Sequence, residues 1–430
     1  MKEIAKVVKL ELGWVFTDDG ERAFPYSDLF EIQRQVALVK NKTIQLCWEW
    51  NNFGADFHAM SGAYPKTGDV TGYKTLDGYV YQRLKDDFSR MFKKNLNASV
   101  RSAQKAFETA KKSLHKGERS ILSYRKDAPI ELHNSAVSFS QEGRKYKAAV
   151  KVFSLSYAKE KGYAGTGVEF ELSHLQGSPK EIVQRCMSGE YKIGESKLIW
   201  NEKKKKWFLY LTYKFTPAAV ALDPEKIMGV DLGIACVAYM GFRFCEDRHV
   251  IPGHEVEHFR RRVEARKVEL QRQGKFCGEG RIGHGRATRT KPVDQIGHAI
   301  ARFRDTANHK YSRFIVDMAV KHGCGVIQME DLHVHAEDKL LKDWTYFDLR
   351  TKLEYKAKEK GIEVRFVNPR YTSQRCSCCG YIEKENRKTQ KEFICLECGF
   401  AANADYNAAL NLATAGIEQI IDEYVSANHK

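Results

Sequence analysis

The sequence predicts a multidomain α+β protein, on three observations. Alternating apolar residues open the chain and return after Pro129, with helical periodicity between the two stretches. From Ile227 onward, short apolar runs ending in acids alternate with helical segments, the layout of an α/β core. Two Cys-x-x-Cys pairs near the C-terminus then read as an inserted four-cysteine metal module.

Residues 2–16 alternate well enough for a strand with Val8, Leu10 and Leu12 on one face. From Ser27 to about Asn52, apolar residues recur every three or four positions, predicting a helix. A second, basic helix is expected from Tyr79 to Lys116, after a loop holding Pro65, Gly68 and Gly72. Strands are expected at 136–139, 146–152, 168–172, 191–199 and 207–213. The last two are joined by Asn201-Glu202-Lys203-Lys204-Lys205-Lys206 in a hairpin. This layout makes sense if the first strand pairs with strands beyond residue 130. Pro217 and Pro224 bound an expected linker.

In the second half, strands are expected at 227–233, 235–239, 325–330 and 362–367, with Gly233 turning the first into the second. Helices are expected at 255–273, 293–322 and 344–360, and a final one from 403.

A chain of 430 residues has room for more than one core, and its 43% hydrophobic content suits a folded protein. The formal charge of +16 points to a polyanionic partner. Nucleic acid suits it better than membrane, because no long apolar span stands out. The charged opening lacks the apolar block of a signal peptide, so a cytoplasmic protein is expected. Cys47, Cys186, Cys236, Cys245, Cys277 and Cys324 are scattered singly and read as reduced thiols.

Asp231 and Glu330 each close an expected strand, and Asp405 falls in the first turn of the final helix, which Asn403 would cap. Singly, each could be an ordinary turn or cap residue. Together, beside a cysteine module, they read as a carboxylate trio for two Mg2+ ions, since clustered carboxylates tolerate one another when cations offset their charge. Such ions activate water against a phosphodiester and stabilise the leaving oxygen. The chemistry implied is metal-dependent cutting of nucleic acid, with Asp231, Glu330 and Asp405 both catalytic and metal-holding.

Cys376/Cys379 and Cys395/Cys398 are each spaced i,i+3 and followed by glycine, Gly380 and Gly399. That is a strong signature of one structural, tetrahedral Zn2+. Cys378 would point away.

Between Arg260 and Arg313 there are 15 Lys/Arg against 5 Asp/Glu. Arg260, Arg261, Arg262, Arg266, Lys267, Arg281, Arg286 and Arg289 are therefore candidates for contact with a phosphate backbone. Arg370 and Arg375 could touch the scissile phosphate or support the cysteine knuckle. Trp14, Trp48, Trp50, Tyr64, Tyr73, Tyr79 and Tyr81 could stack on bases or belong to the core.

Val230-Asp231-Leu232-Gly233, Met329-Glu330-Asp331-Leu332, Thr372 through Gly380 and Cys395-Leu396-Glu397-Cys398-Gly399-Phe400 through Asn403-Ala404-Asp405-Tyr406-Asn407 carry a recognisable pattern. They resemble the RuvC nuclease of TnpB proteins and type V CRISPR effectors, over roughly 227–415 and most specifically over 372–415. The longer opening, Leu29 to Trp50, looks more like the miniature type V-F effectors than like TnpB.

The resemblance implies a wedge domain at 1–26 and 129–218, with an inserted helical recognition domain at 27–128. It implies an RNase H-like RuvC nuclease core at 219–371, a target-nucleic-acid-binding zinc module at 372–402 and a RuvC C-terminal helix at 403–430. It further implies an RNA-guided DNA endonuclease of prokaryotic origin, with guide RNA and target double-stranded DNA as partners, recognition of a short motif beside the target, and an asymmetric homodimer on one guide RNA. A transposon-encoded TnpB nuclease, an unguided DNA-processing enzyme and an RNA-guided regulator without significant cleavage remain the alternatives.

Overall fold

In the computed structural model, the described residues are 3–14, 26–218, 220–233, 236–276, 286–331, 346–389 and 391–428. They form two compact units, 2–216 and 217–430.

The first unit runs β1 (Ile4–Gly13), α1 (Tyr26–Ser61), α2 (Thr67–Thr71), α3 (Leu76–Leu84), α4 (Lys93–His115), β2 (Ile130–Leu132), β3 (Val137–Glu142) and β4 (Lys145–Lys151). It continues with α5 (Leu155–Glu160), β5 (Gly167–Ser173), α6 (Gly177–Met187), β6 (Lys192–Ile193), β7 (Ser196–Asn201) and β8 (Lys206–Phe215). The sheet order is β2-β7-β8-β1-β5-β4-β3, with β6 also on β8. β1 thus lies inside a sheet whose other strands all follow residue 129, and the four helices between β1 and β2 are an insertion. Leu10 and Leu12 of β1 join Leu29, Val36, Ile130, Val150, Phe170 and Trp207 in one core. The expected hairpin is β7–β8, with Leu198 opposite Leu209 and Trp200 opposite Trp207.

The helix expected at 79–116 is two helices. The chain leaves α3 at Lys85, and Met91 instead bridges Phe153 while the Phe92 N–H bonds the Val152 carbonyl at 3.0 Å. A tertiary pairing overrides a helical periodicity there. The strand expected at 191–199 is broken at Gly194 into β6 and β7.

The second unit holds β9 (Asp223–Asp231), β10 (Cys236–Phe242), β11 (Arg248–Pro252), α7 (His254–Phe276), α8 (Arg286–Lys321), β12 (Cys324–Glu330), α9 (Tyr346–Lys360) and β13 (Glu363–Val367). After these come β14 (Glu392–Ile394), β15 (Ala401–Asn403), α10 (Ala404–Leu412) and α11 (Ile417–Asn428). Pro224 therefore belongs to β9 rather than to a linker. The final helix expected over 403–430 is two, separated at Ala413–Gly416, where Gly416 takes a φ of +64°.

The five-stranded sheet has the order β11-β10-β9-β12-β13. β12 runs parallel to both β9 and β13, while β10 is antiparallel to β9. Strand alternation sorts its residues into two faces. Met228, Val230, Met240, Ile327 and Met329 pack with Ile315 of α8 and Leu353 of α9. The opposite face presents Gly229, Asp231, Gln328 and Glu330.

Helix α10 lies on that second face. A Cβ at Gly229 would run into the backbone of Ala409 and Ala413, and one at Gly241, its register partner, would meet Ala409 Cβ at 3.3 Å. Two paired glycines thus let the helix approach the sheet directly. Buried Gln328 donates from Nε2 to the carbonyls of Leu412 (2.8 Å) and Thr414 (3.0 Å), satisfying the helix C-terminus. Gly229→Ala is therefore expected to push α10 off the sheet, costing about 1–3 kcal/mol or more. A thermal melt of the variant checks this, with a fall in midpoint expected.

Among the described residues, no helix is long and apolar enough to cross a membrane.

Candidate metal centres

The strand register sets the first two acids side by side. Met329 pairs with Val230 in the parallel ladder, so the next residues, Glu330 and Asp231, end neighbouring strands on the same face. Strands sit about 4.8 Å apart, which brings the two side chains within easy electrostatic reach. Asp405 arrives from α10, whose start is fixed by Asn403: its Oδ1 accepts from the N–H groups of Asp405 (3.0 Å) and Tyr406 (3.1 Å). Tyr406 also packs on Tyr239, the register partner of Asp231, with ring centroids 5.8 Å apart.

The electrostatics record this convergence. Burial pushes the Asp231 carboxyl well above the usual carboxylate range, and the charges of Glu330 and Asp405 push it the same way. Asp405 is also raised by burial, which outweighs the lowering influence of Arg387 and Lys391. A carboxyl whose folded pKa lies above its unfolded value costs folding stability as pH rises through that window. Burial and mutual repulsion thus work against ionising Asp231 and Asp405 together, a cost that a hard divalent cation would offset. Glu330 is 8% exposed and accepts a hydrogen bond from the Thr372 hydroxyl. Its neighbour Asp331 turns elsewhere and pairs with Arg350 at 3.2 Å.

The four cysteines of the expected module come together. Cys376 and Cys398 sulfurs are 3.7 Å apart, and those of Cys379 and Cys395 are 3.6 Å apart. A tetrahedral site with arms of about 2.3 Å has edges of about 3.8 Å, so the cluster can hold one metal ion. The two knuckles share one construction. The Cys376 N–H bonds the Tyr381 carbonyl at 2.8 Å, and the Cys395 N–H bonds the Phe400 carbonyl at 2.9 Å. Gly380 (φ +86°) and Gly399 (φ +72°) make the turns, in a region where a side chain is strained. Cys398 is lowered to about 7, chiefly by the Phe400 N–H, while burial raises Cys379 to about 12. Four thiol sulfurs gathered this closely form a donor set that could hold a metal ion. Cys378 is exposed beside the cluster and does not belong to it.

Three residues that sequence reasoning missed tie module and acids together. Buried Asn386 donates to the Gln374 carbonyl (3.1 Å) and accepts from the Leu396 N–H (2.9 Å), joining the two knuckles. Arg387 beside it sits 3.6 Å from the Asp405 carboxylate and counters the charge of both Asp405 and Asp231. Asn411 of α10 donates to the carbonyls of Thr372 (2.9 Å) and Arg375 (2.6 Å). Asn386 and Arg387 lie between the cysteine pairs and Asn411 lies in α10, and no spacing pattern in the sequence selects any of the three.

The basic candidates are less concentrated than the sequence suggests. Arg260, Arg261 and Arg266 are exposed on α7 but pair along it with Glu264, Glu257 and Glu269. Such exposed pairs are worth under about 1 kcal/mol, so a phosphate can displace the acid. Arg262 stacks on Phe259, and Lys267 is exposed. Arg286 and Arg289 begin α8, and Arg281 lies outside the described residues. Arg370 is exposed over the Tyr371 ring at 4.9 Å. Arg375 is half-buried and donates to Asn411 Oδ1 at 2.8 Å. Among the aromatic candidates, Tyr64 is 71% exposed and Tyr73 39%, whereas Trp48, Tyr79 and Tyr81 pack against the core.

Comparison with known proteins completes the picture. The Cas12f1-like TNB domain family matches residues 346–412, a span that includes both cysteine pairs and Asp405. The chain is 42% identical over 404 residues to a CRISPR-associated endodeoxyribonuclease Cas12f1 of Sulfoacidibacillus thermotolerans, covering 92% of this chain and 94% of that protein. A Cas12f1 of Syntrophomonas palmitatica is 37% identical, covering 84% of this chain and 80% of its own. The fold is similar to that of a Cas12f1 chain in a cryo-EM structure of a Cas12f1–sgRNA–target DNA complex. There the TM-score is 0.70 at 19% identity, covering 96% of this chain and 99% of that one.

Proposed function

The chain belongs to the Cas12f1 family, the miniature type V-F effectors related to TnpB, and from that premise we propose that it is an RNA-guided DNA endonuclease. It recognises a short motif beside its target, pairs guide RNA with one DNA strand, and hydrolyses phosphodiester bonds. Residues 1–26 and 129–218 act as the wedge and 27–128 as the recognition domain. Residues 219–371 with 403–430 form the RuvC nuclease, and 372–402 form its target-nucleic-acid-binding module. Two copies assemble asymmetrically on one guide RNA in a prokaryotic cytoplasm.

Asp231, Glu330 and Asp405 would hold two Mg2+ ions, and the four cysteines one Zn2+. When bound, such ions would activate water and offset the negative charge that builds on the scissile phosphate and the leaving oxygen. The chain's own residues set that stage. Strand ends fix Asp231 and Glu330, the Thr372 hydroxyl orients the Glu330 carboxylate, and the Asn403 cap positions Asp405. Arg387 offers a guanidinium where negative charge gathers, and exposed arginines of α7 meet the sugar-phosphate backbone.

The observation that supports this reading most is that two acids end neighbouring strands on one sheet face while the third opens the helix packed on that face, in a chain of this family. Arg387→Ala is expected to slow cutting by about 10²–10³-fold, the usual cost of one preorganised electrostatic donor. Zinc content and guided DNA binding should be unchanged, which a cleavage time course alongside metal analysis will show.

The guide class is tested by sequencing RNA recovered from the protein expressed with its native flanking locus. A discrete RNA with constant scaffold and variable spacer is expected. Repeat-derived RNA fits a CRISPR effector, while RNA from a transposon end would move the chain to the TnpB reading. No enriched RNA would overturn guidance altogether.

A further inference from the structure

A third cluster of metal-type ligands lies away from both centres. The turn between β10 and β11 carries Cys245 and Asp247, and His322 follows α8 directly, just before β12. Cys245 Sγ, an Asp247 carboxylate oxygen and a His322 ring nitrogen all lie within 4.8 Å of one another. We propose that these three residues form a second zinc-type site, which clips the β10–β11 turn to the end of α8.

Geometry favours a cation here over a simple surface pair. His322 Nδ1 and Asp247 Oδ2 are 3.7 Å apart, too long for a hydrogen bond. A tetrahedral ion with nitrogen and oxygen arms of about 2.0–2.1 Å spans an edge of about 3.3–3.4 Å, so only small side-chain motion closes the site. The other side of the imidazole is already set. His322 Nε2 lies 2.9 Å from His249 Nε2, a distance at which one nitrogen must carry the hydrogen and the other accept it. With the hydrogen on His322 Nε2, its Nδ1 lone pair is free for the ion, the usual arrangement of a ligating histidine backed by an acceptor. The Phe242 ring packs on the same imidazole, 4.3 Å between centroids, and holds its plane.

Exposure fits entry from solvent: the His322 side chain is 9% exposed, while Asp247 is 66% exposed. One thiolate, one imidazole and one carboxylate suit zinc and disfavour magnesium, which avoids sulfur. Three protein ligands leave a fourth position for water.

Register separates this site from the acids. Asp231 pairs with Tyr239, whereas Phe242 pairs with Met228, three steps or about 10 Å further along the ladder. The turn lies beyond Phe242, at the opposite end of the sheet. The site therefore clips the strand edge and stands apart from hydrolysis at the acids, although its water-filled fourth position sets it off from a closed four-ligand zinc site.

The test is a zinc count on the full-length protein, after addition of zinc in slight molar excess and removal of free metal by gel filtration. Wild-type protein is expected to hold two zinc ions per chain. His322→Ala and Asp247→Asn should each hold one, Cys395→Ser one, and Asp247→Asn combined with Cys395→Ser none. Asp247 sits exposed on a turn, so its variant tests the site even if His322→Ala fails to fold. The same count in wild type and Asp247→Asn would overturn the proposal. Loss at the four cysteines would leave the difference between wild type and Asp247→Asn intact, so the two sites are judged separately.

Discussion

Asp231→Ala or Glu330→Ala is expected to reduce target cutting by a thousandfold or more while guided DNA binding stays within a fewfold of wild type. Each change removes a metal-holding carboxylate, and losing even one preorganised electrostatic donor costs about 10²–10³ in rate. Neither change should unfold the sheet. Asp231 is raised by burial and by its two acidic neighbours, so its removal relieves repulsion in the metal-free protein. Glu330 is closer packed, but Thr372, its hydroxyl partner, remains held through the Asn411 contact with its carbonyl. The check is a pair of assays on one preparation, cleavage of a matched plasmid and gel-shift binding of the same target. Unchanged cleavage by both variants would remove the assignment of the trio.

Cys395→Ser is expected to abolish zinc at the four-cysteine cluster and to cut activity as deeply as loss of an acid. Structural zinc contributes about 10–16 kcal/mol in finger peptides, far more than a small module can replace by packing. The core here is little more than Cys376, Phe393, Cys395 and Ala404, with Tyr381 and Phe400 against it. Without the ion the two knuckles part. Asn386 then loses a partner, Arg387 leaves Asp405, and the β14–β15 pair that leads into Asn403 loosens. The first unit has its own core and its own sheet, so circular dichroism should show most secondary structure retained. A normal zinc count at the cluster would refute the ligand assignment.

The thiol cluster and the positions of the acids at strand ends and a helix start were legible because each sits in a local pattern, although the acids gained meaning only as a set. A buried strand ending in a carboxylate is one such pattern, and Cys-x-x-Cys-Gly-aromatic is another. The β7–β8 hairpin was legible for the same reason. What escaped depends on tertiary pairing. Nothing in Lys85–Phe92 forbids a helix; pairing of Arg90–Phe92 with Val152–Ser154 overrides it. The strand β2 is three residues long and buried against β7, too short to show a period. The break between α10 and α11 was signalled by Thr414-Ala415-Gly416, which reading one C-terminal helix passes over.

Gly229 is the most instructive omission. Read as a residue in an apolar strand, it is unremarked; with α10 in place, it is what lets the helix that carries Asp405 lie directly on the sheet. Asn386 and Arg387 matter only through partners that the folded module brings to them, and no spacing rule would have selected them.

The most direct measurement is cleavage of a plasmid by purified protein loaded with its guide RNA. Matched and unmatched targets are compared, each with magnesium and with a chelator. Cutting of the matched plasmid alone, and only with guide and magnesium, is the predicted result. Cutting that ignores the guide, cutting that persists in chelator, or binding of the matched target without any cutting would contradict it.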